Sequence, residues 1–186
     1  MLLVIVDEAA DGARPGGLIA RARDGDEAAF ERLFLPLIGP AHRLAFALLR
    51  DHAAAEDAVQ EACIRAWDRL RQLRSPDMAR PWFLAIVTNQ CRSATRRRWW
   101  RVLKQADPEP AGAAAAPDAG IAVLALRDGL RRLPLNDQVI LHLRFAEDLS
   151  HDEIARVAGV RVGTVKSRIH RALRRLRIEL SEEELQ

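Results

Sequence analysis

The sequence has very little cysteine, which excludes two common ways of stabilising a small protein. Among 186 residues only Cys63 and Cys91 are present, far apart and with no Cys-x-x-Cys or Cys/His cluster nearby. Neither a disulfide framework nor a zinc site is therefore expected, and a reducing compartment suits the chain best.

Long hydrophobic runs are also missing. No uninterrupted apolar stretch approaches the roughly 18 to 20 residues that cross a bilayer. The apolar start at residues 1–6 is short, lacks a basic flank and runs directly into Asp7 and Glu8, so it makes a poor signal peptide. We expect a cytoplasmic protein without membrane insertion.

The sequence also lacks the motifs that usually indicate an enzyme. It shows no nucleophile paired with a base, no phosphate-binding loop and no residue spacing typical of metal ligands. One alternative is a metal-dependent nuclease built on either of two acidic clusters. These clusters are His151, Asp152 and Glu153, and Asp24, Asp26 and Glu27. The first contains the glutamate of a predicted capping box and the second lies at a predicted helix start, where acids suit the helix dipole. We expect no catalytic residue, no bound metal and no cofactor.

What the sequence does have is charge, and it is segregated along the chain. The net charge of +3 is the difference between 29 basic and 26 acidic residues. Residues 92–104 and 161–177 are rich in arginine and contain no acid, whereas residues 51–68 are mainly acidic. One basic run is usually a solvated helix face, but two such runs indicate a polyanion contacted at two places, and the acidic run indicates a different partner.

The chain divides into two segments with helical patterning. Residues 105–120 are rich in alanine, proline and glycine and cannot supply a core, so they are predicted to form a flexible linker. No long period-two alternation predicts a sheet. The fold expected is all-α, with two small helical domains. The predicted parts are an N-terminal extension (1–17), a first domain (18–104), the linker (105–120), a second domain (121–180) and an acidic tail (181–186).

In the first domain, apolar residues at helical spacing predict a helix that stops at Gly39 and Pro40, followed by another helix. Asp51 is a predicted N-cap of a long helix. Its apolar stripe should form core and consists of Val59, Ala62, Cys63, Ala66, Trp67 and Leu70. Pro81 suits the first turn of the last helix. Asn89 is expected to end one helix and start the next.

In the second domain, the pattern predicts a helix-turn-helix. Ser150 and Glu153 form a capping box, Gly159 suits a left-handed turn, and another helix begins near Val162. On this last helix, apolar residues from Val162 to Leu176 gather on one side. The opposite side and its flanks are predicted to contact DNA through Thr164, Lys166, Ser167, Arg168, His170, Arg171 and Arg174.

Several motifs resemble one family in the same order. Residues 153–155 read EIA and residues 163–172 read GTVKSRIHRA, and they resemble the C-terminal DNA-binding region of extracytoplasmic-function (ECF) sigma factors. Residues 57–67 read DAVQEACIRAW and are similar to the polymerase-binding helix of sigma region two. Residues 82–89 read WFLAIVTN and resemble the segment that leads into promoter melting.

The resemblance implies roles for individual residues. The β′ clamp helices of RNA polymerase would bind a surface on the long helix formed by Asp57, Gln60, Glu61 and Ile64. Asn89 would help to capture a flipped base of the minus-10 element. Phosphate contacts would come from Arg92, Arg96, Arg97 and Arg98, and Trp99 and Trp100 either stack on bases or end the domain. Ser93 replaces an aspartate that many family members carry, which puts the minus-10 sequence in doubt.

The function implied is transcription initiation without catalysis. The first domain would melt the minus-10 element and the helix-turn-helix would read the minus-35 element. The partners implied are core RNA polymerase (β′ clamp helices and β subunit), promoter DNA and an anti-sigma factor. The alternative is a conventional helix-turn-helix regulator, which would bind duplex operators without replacing the sigma subunit.

Overall fold

The computed structural model describes residues 15–104 and 121–183, and within these ranges every regular element is helical. The predicted linker, most of the predicted N-terminal extension and the end of the acidic tail lie outside the described residues. The first domain packs four α-helices, with two short 3₁₀ turns at Leu70–Gln72 and Pro76–Met78. The helices are α1 (Pro15–Arg23), α2 (Glu27–Leu49), α3 (His52–Asp68) and α4 (Ala79–Lys104).

Two aspartates start the central helices of this domain. The side chain of Asp26 accepts a hydrogen bond from the backbone N–H of Ala29 at 3.0 Å, and Asp51 accepts one from Ala54 at the same distance. Each carboxylate thereby satisfies one of the donors that a helix leaves unpaired at its N-terminus. The prediction that Asp51 is an N-cap is confirmed.

The expected helix break at Gly39 and Pro40 is wrong, because α2 continues through Pro36 and Pro40. A proline removes one helical hydrogen bond, but its fixed φ is compatible with the helix. Residues buried on both sides of Pro40 pack into one core, including Phe34, Ala41 and Leu44. Burial of this continuous apolar stripe offsets the lost hydrogen bonds. By length and composition α2 is the one candidate among the described helices to cross a bilayer.

Aromatic side chains form the centre of the first domain. Phe34 and Phe83 are 1% and 0% exposed, with ring centroids 5.3 Å apart in an edge-on arrangement. Of the stripe predicted on α3, Val59, Ala62 and Ala66 are buried and Cys63 is half-buried. Leu70 is buried too, but it lies beyond α3. Trp67 departs from the prediction because it is 37% exposed, covering the core from outside with its ring edge-on to Phe30.

The second domain contains the predicted helix-turn-helix. Its helices are α5 (Ile121–Arg132), α6 (Leu135–Phe145), α7 (His151–Ala158) and α8 (Val162–Glu183). The backbone N–H of Ser150 donates to the Glu153 carboxylate at 2.8 Å, and the Ser150 hydroxyl accepts from the N–H of Glu153 at 3.3 Å. Gly159 ends α7 at φ +67°, a conformation that favours glycine. The capping box, the glycine turn and the start of α8 at Val162 are confirmed.

Candidate DNA- and polymerase-binding surfaces

The long helix α8 has a buried side and an outward basic side. Val165, Ala172 and Leu176 are buried against the rest of the second domain, as predicted. Leu173, predicted to face inward, is instead 44% exposed. Five of the predicted DNA-contacting residues are exposed and two are half-buried. The exposed ones are Lys166, Ser167, His170, Arg171 and Arg174, and the half-buried ones are Thr164 and Arg168.

The first turns of α8 leave room for an approaching ligand. A Cβ atom on Gly163 would meet nothing within 4 Å, so no contact inside the chain requires a small residue there. The Ser167 hydroxyl donates to the carbonyl of Thr164 at 3.0 Å, and Arg171 Nε donates to the carbonyl of Ser167 at 3.3 Å. The remaining guanidinium N–H groups of Arg171 can donate to acceptors such as phosphate oxygens or guanine edges.

A second basic surface lies on α4. Arg96, Arg97 and Arg98 are exposed on this helix. Asn89 is exposed as well, but the expectation that it ends one helix and starts another is wrong. The helix is continuous from Ala79 to Lys104, and the Asn89 side-chain oxygen accepts a hydrogen bond from Arg92 at 3.2 Å. The side chains of Trp99 and Trp100 lie outside the described residues.

Arg92 connects this surface to the second domain. Its other terminal nitrogen donates to the side-chain oxygen of Asn136 on α6 at 3.0 Å. Burial lowers the pKa of Arg92 below its usual value, and the positive charge of Arg168 on α8 lowers it further. Arg92, predicted to contact one DNA element, is therefore bonded to the domain that is predicted to read the other.

The candidate docking surface lies on the outer side of α3. Asp57, Gln60 and Ile64 are exposed, and Glu61 is half-buried. Ile64 is 59% exposed although it is fully apolar. Glu61 accepts a hydrogen bond from Arg65 at 2.7 Å, one turn further along the helix. The predicted surface is thus an apolar side chain surrounded by polar ones, opposite the buried stripe.

The two acidic clusters considered as nuclease sites have structural roles instead. Asp26 caps α2, and hydrogen bonds from the Ala29 backbone and Arg21 lower the pKa of its carboxyl. Glu153 closes the capping box, and hydrogen bonds from the Ser150 side chain and backbone lower its pKa. Across residues 15–104 and 121–183, no group of three His, Cys, Asp or Glu side chains is placed to hold a metal ion.

Sequence reasoning missed a buried carboxylate between the two domains. Glu147 lies in the turn between α6 and α7, and its side chain is fully buried. Arg43 on α2 donates two hydrogen bonds to it, at 3.0 and 3.1 Å. Arg80 on α4 donates to its carboxylate at 3.1 Å and to its backbone carbonyl at 2.7 Å. The partners are 104 and 67 positions away in sequence, so no local pattern signals them.

His142 lies beside the same carboxylate. Its Nε2 atom is 3.6 Å from Glu147, and its side chain is only 14% exposed. Burial lowers the pKa of His142, although the negative charge of Glu147 opposes that shift. At neutral pH the two arginines are therefore the main countercharges of Glu147.

Residues 33–101 match the family described as Sigma-70 region 2, and residues 124–176 match Sigma-70, region 4. The RNA polymerase sigma factor SigV of Bacillus subtilis is 31% identical over 145 residues, covering 77% of this chain and 86% of SigV. The ECF RNA polymerase sigma factor SigL of Mycobacterium tuberculosis is 33% identical over 147 residues, covering 75% and 82% respectively.

Solved structures with a similar fold include a sigma factor. The sigma factor RpoE in complex with the anti-sigma factor NepR, from Bartonella quintana, aligns with a TM-score of 0.69 at 25% identity, over 82% of this chain and 96% of that one. The structure of CnrH in complex with the cytosolic domain of CnrY aligns with a TM-score of 0.65 at 24% identity, over 89% and 96%. At that identity the second likeness concerns the fold alone.

Proposed function

This chain belongs to the ECF sigma factors of bacterial RNA polymerase. From this membership we propose which of its surfaces binds polymerase and which bind each promoter element. It is a transcription initiation factor that directs core polymerase to promoters. The observation that carries the assignment is the presence, on one chain and in the family's order, of an exposed acidic and apolar helix face followed by two exposed basic helix faces. Each suits a different partner.

The outer face of α3 is the proposed site for the β′ clamp helices. Ile64 supplies exposed apolar area, and Asp57, Gln60 and Glu61 supply acceptors on the preceding turns of the same face. An apolar centre within a polar rim is the usual anatomy of a protein interface. The helix is rigidly seated by its buried stripe, so these side chains are held ready for a partner.

The exposed part of α4 is the proposed site for the minus-10 element. Asn89 offers an amide to an unstacked base, while Arg96, Arg97 and Arg98 lie further along the helix for the strand's phosphates. Stabilising an open strand needs base contacts as well as charge, because phosphate contacts alone carry no sequence information.

The outer face of α8 is the proposed reader of the minus-35 element. The helix follows the glycine turn of a helix-turn-helix, and its N-terminal residues are the ones such helices bring to base edges. Thr164, Ser167 and Arg168 lie near that end, while His170, Arg171 and Arg174 continue the same face.

The remaining assignments follow from these. The protein works in the cytoplasm with polymerase, as a specificity subunit and not as an enzyme, and needs no cofactor. An anti-sigma factor is a further proposed partner, since the similar RpoE structure is a complex with one. We also retain the predicted division into domains 18–104 and 121–180 with a flexible linker at 105–120. No observation favours a conventional regulator.

In-vitro transcription tests the proposal. The purified chain, core polymerase and fragments of the source genome are incubated with nucleotides, and transcript start sites are mapped. We expect starts at a limited set of promoters, which disappear when the chain is omitted. Binding of the chain to duplex DNA without polymerase, combined with no promoter-specific starts, would favour the regulator instead.

Arg171→Ala is expected to weaken promoter binding by the holoenzyme about tenfold and to reduce the salt slope of binding by about one, because one ion contact is lost. Titration of a mapped promoter at several salt concentrations measures both quantities. Arg144→Ala is the matched control, because Arg144 lies on α6 and pairs with Asp148 within its own domain. Equal losses in both variants would contradict the assignment.

Asn89→Ala is expected to reduce strand opening about tenfold while leaving closed-complex binding nearly unchanged, since its amide acts on an unstacked base. Permanganate reactivity of thymines in the minus-10 element reports the opening. Gln72→Ala is a control of the same chemistry, because Gln72 carries an exposed amide in the same domain outside the proposed surface. Normal reactivity in Asn89→Ala would remove the residue from the proposed site.

A further inference from the structure

The two DNA-reading surfaces are too close together to engage a promoter at the same time. The positions that name the two elements imply a separation of about 25 base pairs, which at about 3.4 Å each is roughly 85 Å. In the structure Arg92, proposed for one element, donates to Asn136 of the second domain at 3.0 Å. Arg168 of the recognition helix is close enough to influence it. The domains must separate before both elements are read.

Most of the interdomain hydrogen bonds among the described residues converge on Glu147, although Arg50 also donates to Gln138 at 3.2 Å. Two arginines from different helices of the first domain direct four hydrogen bonds at this one residue of the second domain. The two bonds from Arg43 have the fork geometry that makes arginine–carboxylate pairs strong. The Glu147 side chain is fully buried, while Arg43 and Arg80 remain 58% and 40% exposed.

The apolar packing around this contact is incomplete. A groove of about 540 Å³ runs beside it, lined from the first domain by residues near the end of α2, including Phe46, and from the second by Leu126, Phe145 and Leu173. Those last three are 41%, 64% and 44% exposed. A gap of this size forfeits much of the attraction that a closely packed interface would provide. Buried apolar residues of both domains nevertheless belong to one core, so the polar contacts at Glu147 act together with apolar packing to hold the domains closed.

We infer that Glu147 with Arg43 and Arg80 is an interdomain clamp, which holds this sigma factor closed and must open before it engages a promoter. The effect on promoter engagement rests on the proposed function. The clamp itself requires only the contact between the two domains. Opening hydrates Glu147 and frees Arg92 from Asn136, so the same movement releases the proposed minus-10 surface.

The arginines offer a selective way to weaken the clamp. When Arg43 and Arg80 are removed, the buried Glu147 carboxyl loses its two principal partners in the closed form, whereas in the open form water solvates it. The closed form is therefore the one that loses stability. Because both arginines are substantially exposed, their truncation leaves each domain's own core intact.

The test compares the full-length protein with the double variant Arg43→Ala/Arg80→Ala by small-angle X-ray scattering. We expect a larger radius of gyration in the double variant, because the closed form loses stability relative to the open form. Arg32→Ala/Arg74→Ala is the matched control, since it removes two exposed arginines of the same domain that make no hydrogen bond or ion pair to the described residues of the second domain. Glu147→Gln should also open the protein, because it removes the negative charge that Arg43 and Arg80 bind.

A wild-type radius of gyration in both Arg43→Ala/Arg80→Ala and Glu147→Gln would overturn the clamp, as would an equal expansion in the control. Scattering requires neither polymerase nor DNA, so this result is independent of the proposed function. A second outcome separates the two proposals. If the variants expand while neither they nor the wild type support promoter-specific transcription, the clamp is supported and the proposed function is wrong.

Locking the domains together provides the converse measurement. Arg156 of α7 lies with a terminal nitrogen 3.6 Å from the Met78 sulfur in the first domain. Met78→Cys/Arg156→Cys, in a Cys63→Ser background, is joined by a short thiol-cleavable cross-linker. Promoter-specific transcription should be lost on cross-linking and recovered on reduction. Full transcription by the cross-linked protein would show that separation is not required.

Discussion

Ile64→Glu is expected to lower the affinity for core RNA polymerase by at least about 30-fold, the loss that follows when a central interface residue is disrupted. Ile64 is an exposed apolar residue one helical turn beyond the acidic side chain of Glu61. A carboxylate at this position would have to be buried beside like charges when the clamp helices dock, which costs desolvation without a compensating partner. Biolayer interferometry with immobilised core polymerase measures the affinity directly.

Leu35→Glu supplies the matched control. Leu35 is 71% exposed on α2, so it has the same apolar character and the same freedom to accept a charge. It lies outside the proposed docking surface. We expect wild-type affinity in this variant and wild-type circular dichroism in both. Undiminished binding by Ile64→Glu, or a comparable loss in Leu35→Glu, would show that the polymerase contacts a different face.

Phe34→Ala is expected to destabilise the first domain by about 3 to 5 kcal/mol, the usual cost of removing a buried aromatic ring. Phe34 is 1% exposed, and its ring lies 4.4 Å from that of Phe30 and 5.3 Å from that of Phe83. It comes from the middle of α2 and touches a ring of α4, so its loss leaves a cavity where those helices meet. Such a loss is a large fraction of the stability of a small domain.

Urea unfolding followed by tryptophan fluorescence measures this effect in the correct domain, because all four tryptophans precede residue 105. Leu35→Ala is the control. It truncates an apolar side chain of the same helix that is 71% exposed, so a change of about 0.5 kcal/mol or less is expected. A loss below about 1 kcal/mol in Phe34→Ala would mean that the core closes around the missing ring.

Local patterns predicted the helix-turn-helix well because its signals lie close together in sequence. Ser150 and Glu153 need only each other to form the capping box, and Gly159 needs only its own backbone freedom. The same holds for Asp51 and the start of α3. Where local signals failed, a long-range effect overrode them. Pro40 did not end a helix because buried residues on both sides share one core.

The prediction that Asn89 ends a helix was wrong for a related reason. An exposed asparagine after an apolar run is typical of a helix end, but the arginine-rich extension of α4 continues the helix without a break. What the sequence did convey was the character of each surface. The exposed residues on α3, α4 and α8 are largely those expected from helical spacing, since a period of 3.6 residues separates buried from exposed positions.

The sequence by itself determined the helical class, the two-region organisation and the faces offered to polymerase and DNA, because those follow from periodicity, capping and the separation of charge. Only the tertiary structure decided how the two regions meet. The contact of Glu147 with Arg43 and Arg80 joins residues 104 and 67 positions apart, and no spacing rule relates them. Such contacts depend on how whole helices pack, and here that packing places both proposed DNA-reading surfaces side by side.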